Sequence, residues 1–506
     1  MPTTLLTLRT LRRIYALFFV GLFVLLLWLS DFKNLQGYAS DLLLSLSPLT
    51  ALTTTLTSGV LYGGLVISLV IVVGTLIFGR FFCSWVCPMG ILNQFFGWLL
   101  AKYKGEAAIG RNRYQTSFRL KYYILLVLLI GSAIGVLQVG LMDPIALTTR
   151  SMVTTILPAW ERMTGLGPYA NAPIFHGALL IAGIFVGLLL VTRWLPRFWC
   201  RVLCPLGAML GLLASWSPFR IHRDLDKCTD CNKCQWSCQG ACDPQGELRI
   251  TECHVCMNCV ESCPEGALHY GLPRSRSSSH VALDLTKRRV LEIAVAGTVL
   301  LPVFKGTAAS RTLENKKVIR PPGSLAEVDF LARCIKCEAC MRVCPTNVLQ
   351  PALLESGFEG LWTPLLDNRI GYCEHHCVLC GQVCPTASIR PISVAEKVGG
   401  EGFAKPIKLG TAFFDHGRCL PWAMQTPCIV CEEVCPTSPK AIWYEKRIVH
   451  DRKGKPLELK HPFVEPDLCI GCGICENRCP VVDHAAIRVT SVGESRSETN
   501  KMLLKR

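Results

Sequence analysis

Four long apolar stretches occupy the first two hundred residues of the chain, at 14–29, 60–78, 123–141 and 174–195. Each approaches the ~20 residues that a helix needs to cross a bilayer. The polar segments between them differ in charge. Residues 80–121 carry Arg80, Lys102, Lys104, Arg111, Arg113, Arg119 and Lys121 against a single acid, Glu106, whereas 30–60 and 143–173 are nearly balanced. Basic loops stay in the cytoplasm, so the N-terminus, the 80–121 loop and the residues just after 195 are expected there. The first run has a basic flank but no small-residue cleavage site soon after it, which favours a retained anchor over a removed signal.

A fifth apolar run, VLEIAVAGTVLLPVF at 290–304, follows a basic, serine-rich linker at 271–289. As a helix it covers roughly 22 Å, short of a ~30 Å hydrocarbon core. Lys287, Arg288 and Arg289 at its start could snorkel and lengthen it. We read it as a cytoplasm-to-periplasm crossing, the alternative being a buried amphipathic connector.

Composition sharpens the picture. The chain has 506 residues, 50% of them hydrophobic and 18% charged, against about 25% charged in a typical soluble chain. That excludes a disordered protein. The net charge of +16 could point to nucleic acid. Many of the cations, however, flank apolar runs as membrane insertion requires, and Arg274 and Arg276 in the linker suit anionic lipid better.

The 29 cysteines decide the chemistry. They form runs: Cys228, Cys231, Cys234 and Cys238; Cys253, Cys256, Cys259 and Cys263; Cys334, Cys337, Cys340 and Cys344; Cys373, Cys377, Cys380 and Cys384; Cys419, Cys428, Cys431 and Cys435; Cys469, Cys472, Cys475 and Cys479. Most follow C-x2-C-x2-C-x3-C, usually with proline next, the bacterial ferredoxin signature for [4Fe–4S] clusters. Three thiolates on one tight loop reach three corners of a cubane, and the fourth often ligates the partner cluster. Zinc prefers two C-x2-C pairs set further apart. Six runs therefore imply six clusters. Cys242 is left over and rivals Cys238, which lacks the usual following proline. The remaining four, Cys83, Cys87, Cys200 and Cys204, lie in two matching segments, FFCSWVCPMG and FWCRVLCPLG. These read as an internal repeat that would bring four thiols together as a seventh metal centre or redox-active disulfides, or else as structural thiols of a helix-ending turn.

No C-x-x-C-H motif for covalent haem c occurs, and neither a dinucleotide fingerprint nor a P-loop is present. Electrons are the expected cargo. The fold class that follows is an α-helical membrane domain of four spans plus a fifth crossing, joined to α+β bacterial-ferredoxin-like [4Fe–4S] modules. Its parts are a membrane domain at 1–219, a two-cluster module at 220–270 with GELRIT at 246–251 as a short hairpin strand, the linker and crossing at 271–305, and a four-cluster module at 306–506. Asp143 and His176, at the ends of apolar runs, are candidate proton acceptors for a membrane quinol; capping a helix and lying among headgroups are their plainer roles.

The first 270 residues resemble NapH, a ferredoxin-type membrane component, through the four apolar runs, the two C-x3-C-P motifs and the double cluster module. The relation extends more loosely to the NosR membrane portion. Residues 287 to about 485 resemble NapG and MauM through RCIKCEACMRVCP, YCEHHCVLCGQVCP, PCIVCEEVCP and LCIGCGICENRCP, and 287–304 partly matches a twin-arginine export signal. The chain thus looks like a NapH–NapG fusion. The resemblance implies a multi-pass protein of the bacterial inner membrane, with the two-cluster module cytoplasmic and the four-cluster module periplasmic. It also implies a quinol dehydrogenase component that draws on the membrane quinol pool, works beside other membrane redox subunits and feeds a periplasmic cytochrome or reductase subunit. The alternative is a wiring or maturation subunit that binds no quinol.

Overall fold

The computed structural model describes residues 7–35, 41–103, 105–169, 172–272, 285–299, 318–400, 402–403, 405–450 and 456–502. It divides into two units. The first gathers Met1–Leu29, Tyr38–Thr155 and Ala178–Val303; the second gathers Ser30–Gly37, Ile156–Gly177 and Phe304–Arg506.

The first unit is helical. Its main apolar helices are α1 (Leu8–Leu29), α2 (Leu69–Phe78), α3 (Pro88–Leu99), α4 (Leu120–Ala133), α5 (Ala178–Val191) and α6 (Pro205–Ala214). Among the described residues, two helical stretches are long and apolar enough to cross a membrane, Leu8–Leu29 and Thr116–Ala133; Gly63–Phe78, Ala178–Val191 and Pro205–Ala214 are shorter. The four expected spans are therefore trimmed. The run at 123–141 stops as a helix at Ala133, because Gly135 takes a positive φ of 86°. The run at 174–195 becomes helical only at Ala178, after Pro173 and the left-handed Gly177. At 14 residues α5 rises about 21 Å. Large apolar side chains nevertheless stay exposed on these helices, among them Leu17, Val70, Leu179 and Leu190. Residues 287–299 are helical, while the expected crossing's last residues, 300–304, and most of the linker, 273–284, lie outside the described residues.

The two-cluster region of this unit follows α6. Strand β1 (Arg220–Arg223) pairs antiparallel with β2 (Leu268–Gly271), His222 opposite His269. This pairing ties the two ends of the module together. The stretch GELRIT is not the expected strand: Ile250–Glu252 is a single 3-10 turn. Glu252 is held there by buried contacts from Lys121 of α4 and from the Tyr122 hydroxyl, 3.0 Å from Oε1. A buried carboxylate needs such partners, and making them fixes its backbone in a turn.

The second unit is built from short two-stranded sheets. β3 (Leu349–Pro351) pairs with β4 (Pro364–Leu366), β5 (Thr411–Phe414) with β8 (Ile487–Thr490), and the long β6 (Ile442–His450) with β7 (Pro456–Val464), all antiparallel. The helix Leu157–Thr164 also belongs here, its buried Glu161 lying 2.7 Å from the Arg342 guanidinium. A buried charge cluster anchors the start of the module. Glu327 accepts from Arg320 at 2.6 Å and from Arg496 at 2.7 Å, and Arg320 also donates to Thr363 Oγ1 and to the carbonyl of Pro364. The Arg496–Glu327 pair joins residues 169 positions apart in the chain.

Candidate iron–sulfur centres

The loops that carry the cysteines share one backbone device. Asp230 and Asn232, Val255 and Met257, Lys336 and Glu338, and Gly471 and Gly473 all have positive φ, in each case the residues just before and just after the second cysteine of a run. Six of these eight are not glycine, and each pays a conformational cost that an ordinary loop avoids. What it gains is a concave nest with backbone N–H groups turned inward, suited to an anionic centre. The two looser runs, at Cys373 and Cys419, lack this pattern. At Cys373 a buried cation takes its place: Lys397 Nζ lies 3.3 Å from Cys373 Sγ and donates to the carbonyls of Glu374 and Cys377 at 2.6 and 2.7 Å.

The thiols group by crossing between runs. Cys228, Cys231 and Cys234 line a small cavity with Cys263. Cys373, Cys377 and Cys380 share one with Cys344, and Cys469, Cys472 and Cys475 share one with Cys435. Cys337 and Cys340 have Cys384 as an electrostatic neighbour, and Cys419 has Cys428 and Cys479. The first run's Cys238 is felt by Cys253, Cys256 and Cys259. So the last cysteine of each run faces the first three of its partner, and the four C-terminal runs pair as first with second and third with fourth.

Among the described residues, no three Cys, His, Asp or Glu side chains close around one point as they would for a single ion. The thiols are instead spread around small voids, as the corners of a cubane require. Burial pushes Cys334 up to about 11 and Cys431 up to about 12. A free thiol at either position stays protonated, and iron would replace that proton when a cluster is bound. Cys242 lies 3.3 Å from Cys238, and its hydrogen bond is the main reason that Cys238 is lowered to about 6. Burial and the cation of Arg80 keep His254, inside the second loop, well below the ordinary imidazole value.

The two C-x3-C-P segments fold alike. Cys87 is the N-cap of α3 with Pro88 at its first turn, and Cys204 is the N-cap of α6 with Pro205 in the same place. Proline suits that position because its missing N–H has no intrahelical partner to lose. Both segments close a wide turn just before the cap, with Cys87 N bonded to Phe82 O and Cys204 N to Trp199 O, each at 2.9 Å. Such i→i+5 turns recur at functional sites. The glycine two residues after each proline is a packing requirement. A methyl group at Gly90 would strike the Cys83 carbonyl, and one at Gly207 would strike the Arg80 guanidinium. Cys83, Cys87, Cys200 and Cys204 are all buried, and Cys87 has the other three as electrostatic neighbours.

Arg80, fully buried, links this thiol group to the cluster module. Its Nε donates to Cys83 Sγ at 3.3 Å, one Nη to the Cys200 carbonyl at 3.2 Å and the other to the Thr251 carbonyl at 3.3 Å, two residues before Cys253. Sequence reasoning counted Arg80 only as a basic flank; the signal was a lone arginine wedged between Gly79 and Phe81-Phe82-Cys83. Lys397 gave no signal of its own.

The two quinol-site candidates are placed separately. Asp143, in the first unit, accepts from Ile145 N and Ala146 N at 2.9 and 3.1 Å and from the Ser47 hydroxyl at 2.6 Å, capping the helix Pro144–Ser151. His176, in the second unit, meets Asp367 at 2.9 Å while its backbone N–H donates to Gln350.

Nested cysteine loops with crossed fourth thiols define a ferredoxin-type electron-transfer protein that binds [4Fe–4S] clusters. Two family models agree, each described as a 4Fe-4S binding domain: one matches residues 60–105 and 175–224, over the C-x3-C-P segments, and the other matches 330–350 and 462–482. The chain is 36% identical over 204 residues to the methylamine utilization ferredoxin-type protein MauM of Methylorubrum extorquens, covering 39% of this chain and 84% of that one. It is 30% identical over 276 residues to the ferredoxin-type protein NapH of Escherichia coli, covering 50% and 86%, and 31% identical over 215 residues to NapG of Haemophilus influenzae, covering 41% and 72%. The chain belongs to this NapH, NapG and MauM family of ferredoxin-type proteins. No solved structure matches it.

The crossing gives a direct test. In Cys344→Ala, the group around Cys373, Cys377 and Cys380 is expected to lose its fourth ligand and show a three-iron EPR signal. The signal of the Cys334 group should persist. A change confined to the Cys334 group would refute the crossed assignment.

Proposed function

We propose that this protein is a membrane-bound quinol dehydrogenase component, built as a NapH-like part fused to a NapG-like part. In this reading it draws electrons from the membrane quinol pool and delivers them through six [4Fe–4S] clusters to a periplasmic cytochrome or reductase. The ligand sets are the crossed groups described above, with Cys238 as the fourth ligand in the second group and Cys242 as its hydrogen-bond donor. When bound, each cluster carries one electron at a time. Cys83, Cys87, Cys200 and Cys204 form a seventh metal or redox centre at the cytoplasmic ends of the second and fourth apolar runs, just after α2 and α5.

The observation that carries the reading is Arg80, one side chain touching both C-x3-C-P segments and the cluster loop at Thr251. A purely structural turn has no need of a buried guanidinium that joins the Cys83 thiol to the Cys200 carbonyl. Exposed leucines and valines on α1, α2 and α5 support placement in a lipid bilayer. The second unit includes Ser30–Gly37 and Ile156–Gly177, the charge-balanced loops that the positive-inside rule puts outside, and this supports a periplasmic four-cluster module.

Redox-titrated EPR on the anaerobically purified full chain tests the reading, with and without a quinol analogue. We expect about two dozen irons per chain, four for each of six cubanes, and quinol-driven appearance of reduced-cluster signals. Iron near four per chain would refute the six clusters. Clusters that dithionite reduces and quinol does not would refute the dehydrogenase and leave a wiring subunit.

A further inference from the structure

A cavity of the first unit has no part in the chemistry above. Its volume is about 390 Å³, within the range of small-molecule sites. It lies between α1 and α3, with Arg12 and Leu17 on one side, Gln94 and Trp98 on the other, and Asn258 at its inner wall. Asn258 sits between Cys256 and Cys259, so the cavity and the second cysteine loop share a wall.

Among the described residues that line it, three buried polar atoms lack a hydrogen-bond partner: Nε of Arg9, whose nearest charge is Glu261 at 3.8 Å, and, deeper in, Nε of Arg12, a residue 2% exposed, and Oδ1 of Asn258, a residue 7% exposed. Of the deeper two, one is a donor and the other an acceptor. Their neighbours are already committed. Gln94 Oε1 accepts from Arg12 and, at 2.6 Å, from Arg197, while Asn258 Nδ2 points to the Ser237 carbonyl at 3.5 Å. An orphaned buried donor and acceptor cost stability unless something completes them. At the mouth, Trp98 and Leu17 are exposed apolar side chains, 68% and 73%.

We propose that this cavity binds the headgroup of the membrane quinol, an inference that rests on the quinol-oxidation reading. A quinol hydroxyl both donates and accepts, so it satisfies Asn258 Oδ1 and Arg12 Nε together. A bare phosphate group offers only acceptors and leaves the Asn258 oxygen orphaned. The quinol's isoprenoid tail leaves past Trp98 and Leu17 into lipid. Oxidation of quinol to quinone here would release two electrons, which the loaded clusters of the adjacent module would accept one each, and two protons to water on the Arg13 side of the cavity, away from the tail.

The test uses the full chain in detergent or nanodiscs. An azido-quinone is photolabelled onto it and the adduct is mapped by mass spectrometry. Quinol-driven cluster reduction is followed in parallel, with dithionite reduction as the check on cluster content. Labelling is expected on the peptides carrying Leu17 and Trp98, competed by a short-chain quinol. Asn258→Leu and a blocking Leu17→Trp are each expected to slow quinol-driven reduction by about tenfold, the worth of one buried hydrogen bond, with dithionite-reducible clusters retained. Wild-type clusters reduced by quinol, with both variants equally fast and the label elsewhere, would overturn the site and leave the quinol reading standing. No reduction in the wild type would overturn that reading itself. Anionic phospholipid that co-purifies with the wild type, is lost from Asn258→Leu and is not displaced by quinone would assign the cavity to lipid and overturn the proposal.

Discussion

Cys204→Ser is expected to cut quinol-to-acceptor electron flow by about a hundredfold or more, since even partners behind a metal ligand are worth about 10–100-fold. The EPR signals of the other clusters should remain. Cys204 caps α6, accepts from Gly207 N at 3.2 Å and has Cys200, Cys83 and the Arg80 guanidinium as electrostatic neighbours, Arg80 itself donating to Cys83. A serine hydroxyl still caps a helix, so the fold is retained. What it lacks is a soft thiolate, the ligand that iron–sulfur and other soft centres select. Cys83→Ser should behave alike, because the two segments are copies of one turn. If both variants carry electrons at the wild-type rate, the four thiols are structural and the seventh centre does not exist.

Glu327→Gln is expected to destabilise the second unit by about 3–5 kcal/mol, the cost of breaking a buried ion pair from one side. The amide keeps the shape but leaves Arg320 and Arg496 facing a neutral group in a buried setting. The same cluster sets a pH dependence. Burial alone would raise the Glu327 carboxyl, but Arg320 and Arg496 overcome it and lower it to about 2 from 4.5. A carboxyl whose folded value is depressed stabilises the fold above its unfolded value. That stabilisation, about 3 kcal/mol, is lost as the pH falls from about 4.5 towards 2. Urea titrations of the cluster-loaded chain at pH 7 and in the acid range, for wild type and Glu327→Gln, measure both effects. A wild-type midpoint no more acid-sensitive than that of the variant would show that Glu327 does not carry the dependence.

The chemistry was legible because it is local. A cubane corner is filled by residues three apart, so Cys228, Cys231 and Cys234 announce themselves in seven positions of sequence. The C-x3-C-P repeat was legible for the same reason, and the structure gives both copies one turn and one cap. Pairing was not legible: Cys419 finds Cys479 60 positions later, and nothing local encodes that distance. The apolar runs overstated the helices, since 134–138 and 174–175 fall inside the runs but outside any helix. GELRIT alternated like a strand, but a single buried acid, Glu252, took its backbone into a turn to reach Lys121 and Tyr122. Arg80, Lys397 and the Arg12–Asn258 cavity depend on side chains converging from distant segments, and a charge pattern read along the chain does not show convergence.

Crossed ligation has a consequence for biogenesis. In the crossed arrangement proposed above, each cubane of a pair would borrow one corner from the loop that wraps its twin, so a chain loaded with one of the two would rest that borrowed corner on a loop with no cubane of its own. Cofactor delivery should therefore proceed in twos, as an all-or-nothing event for each pair. A maturation machine that stalls midway would leave whole pairs empty rather than a graded series of partly filled chains.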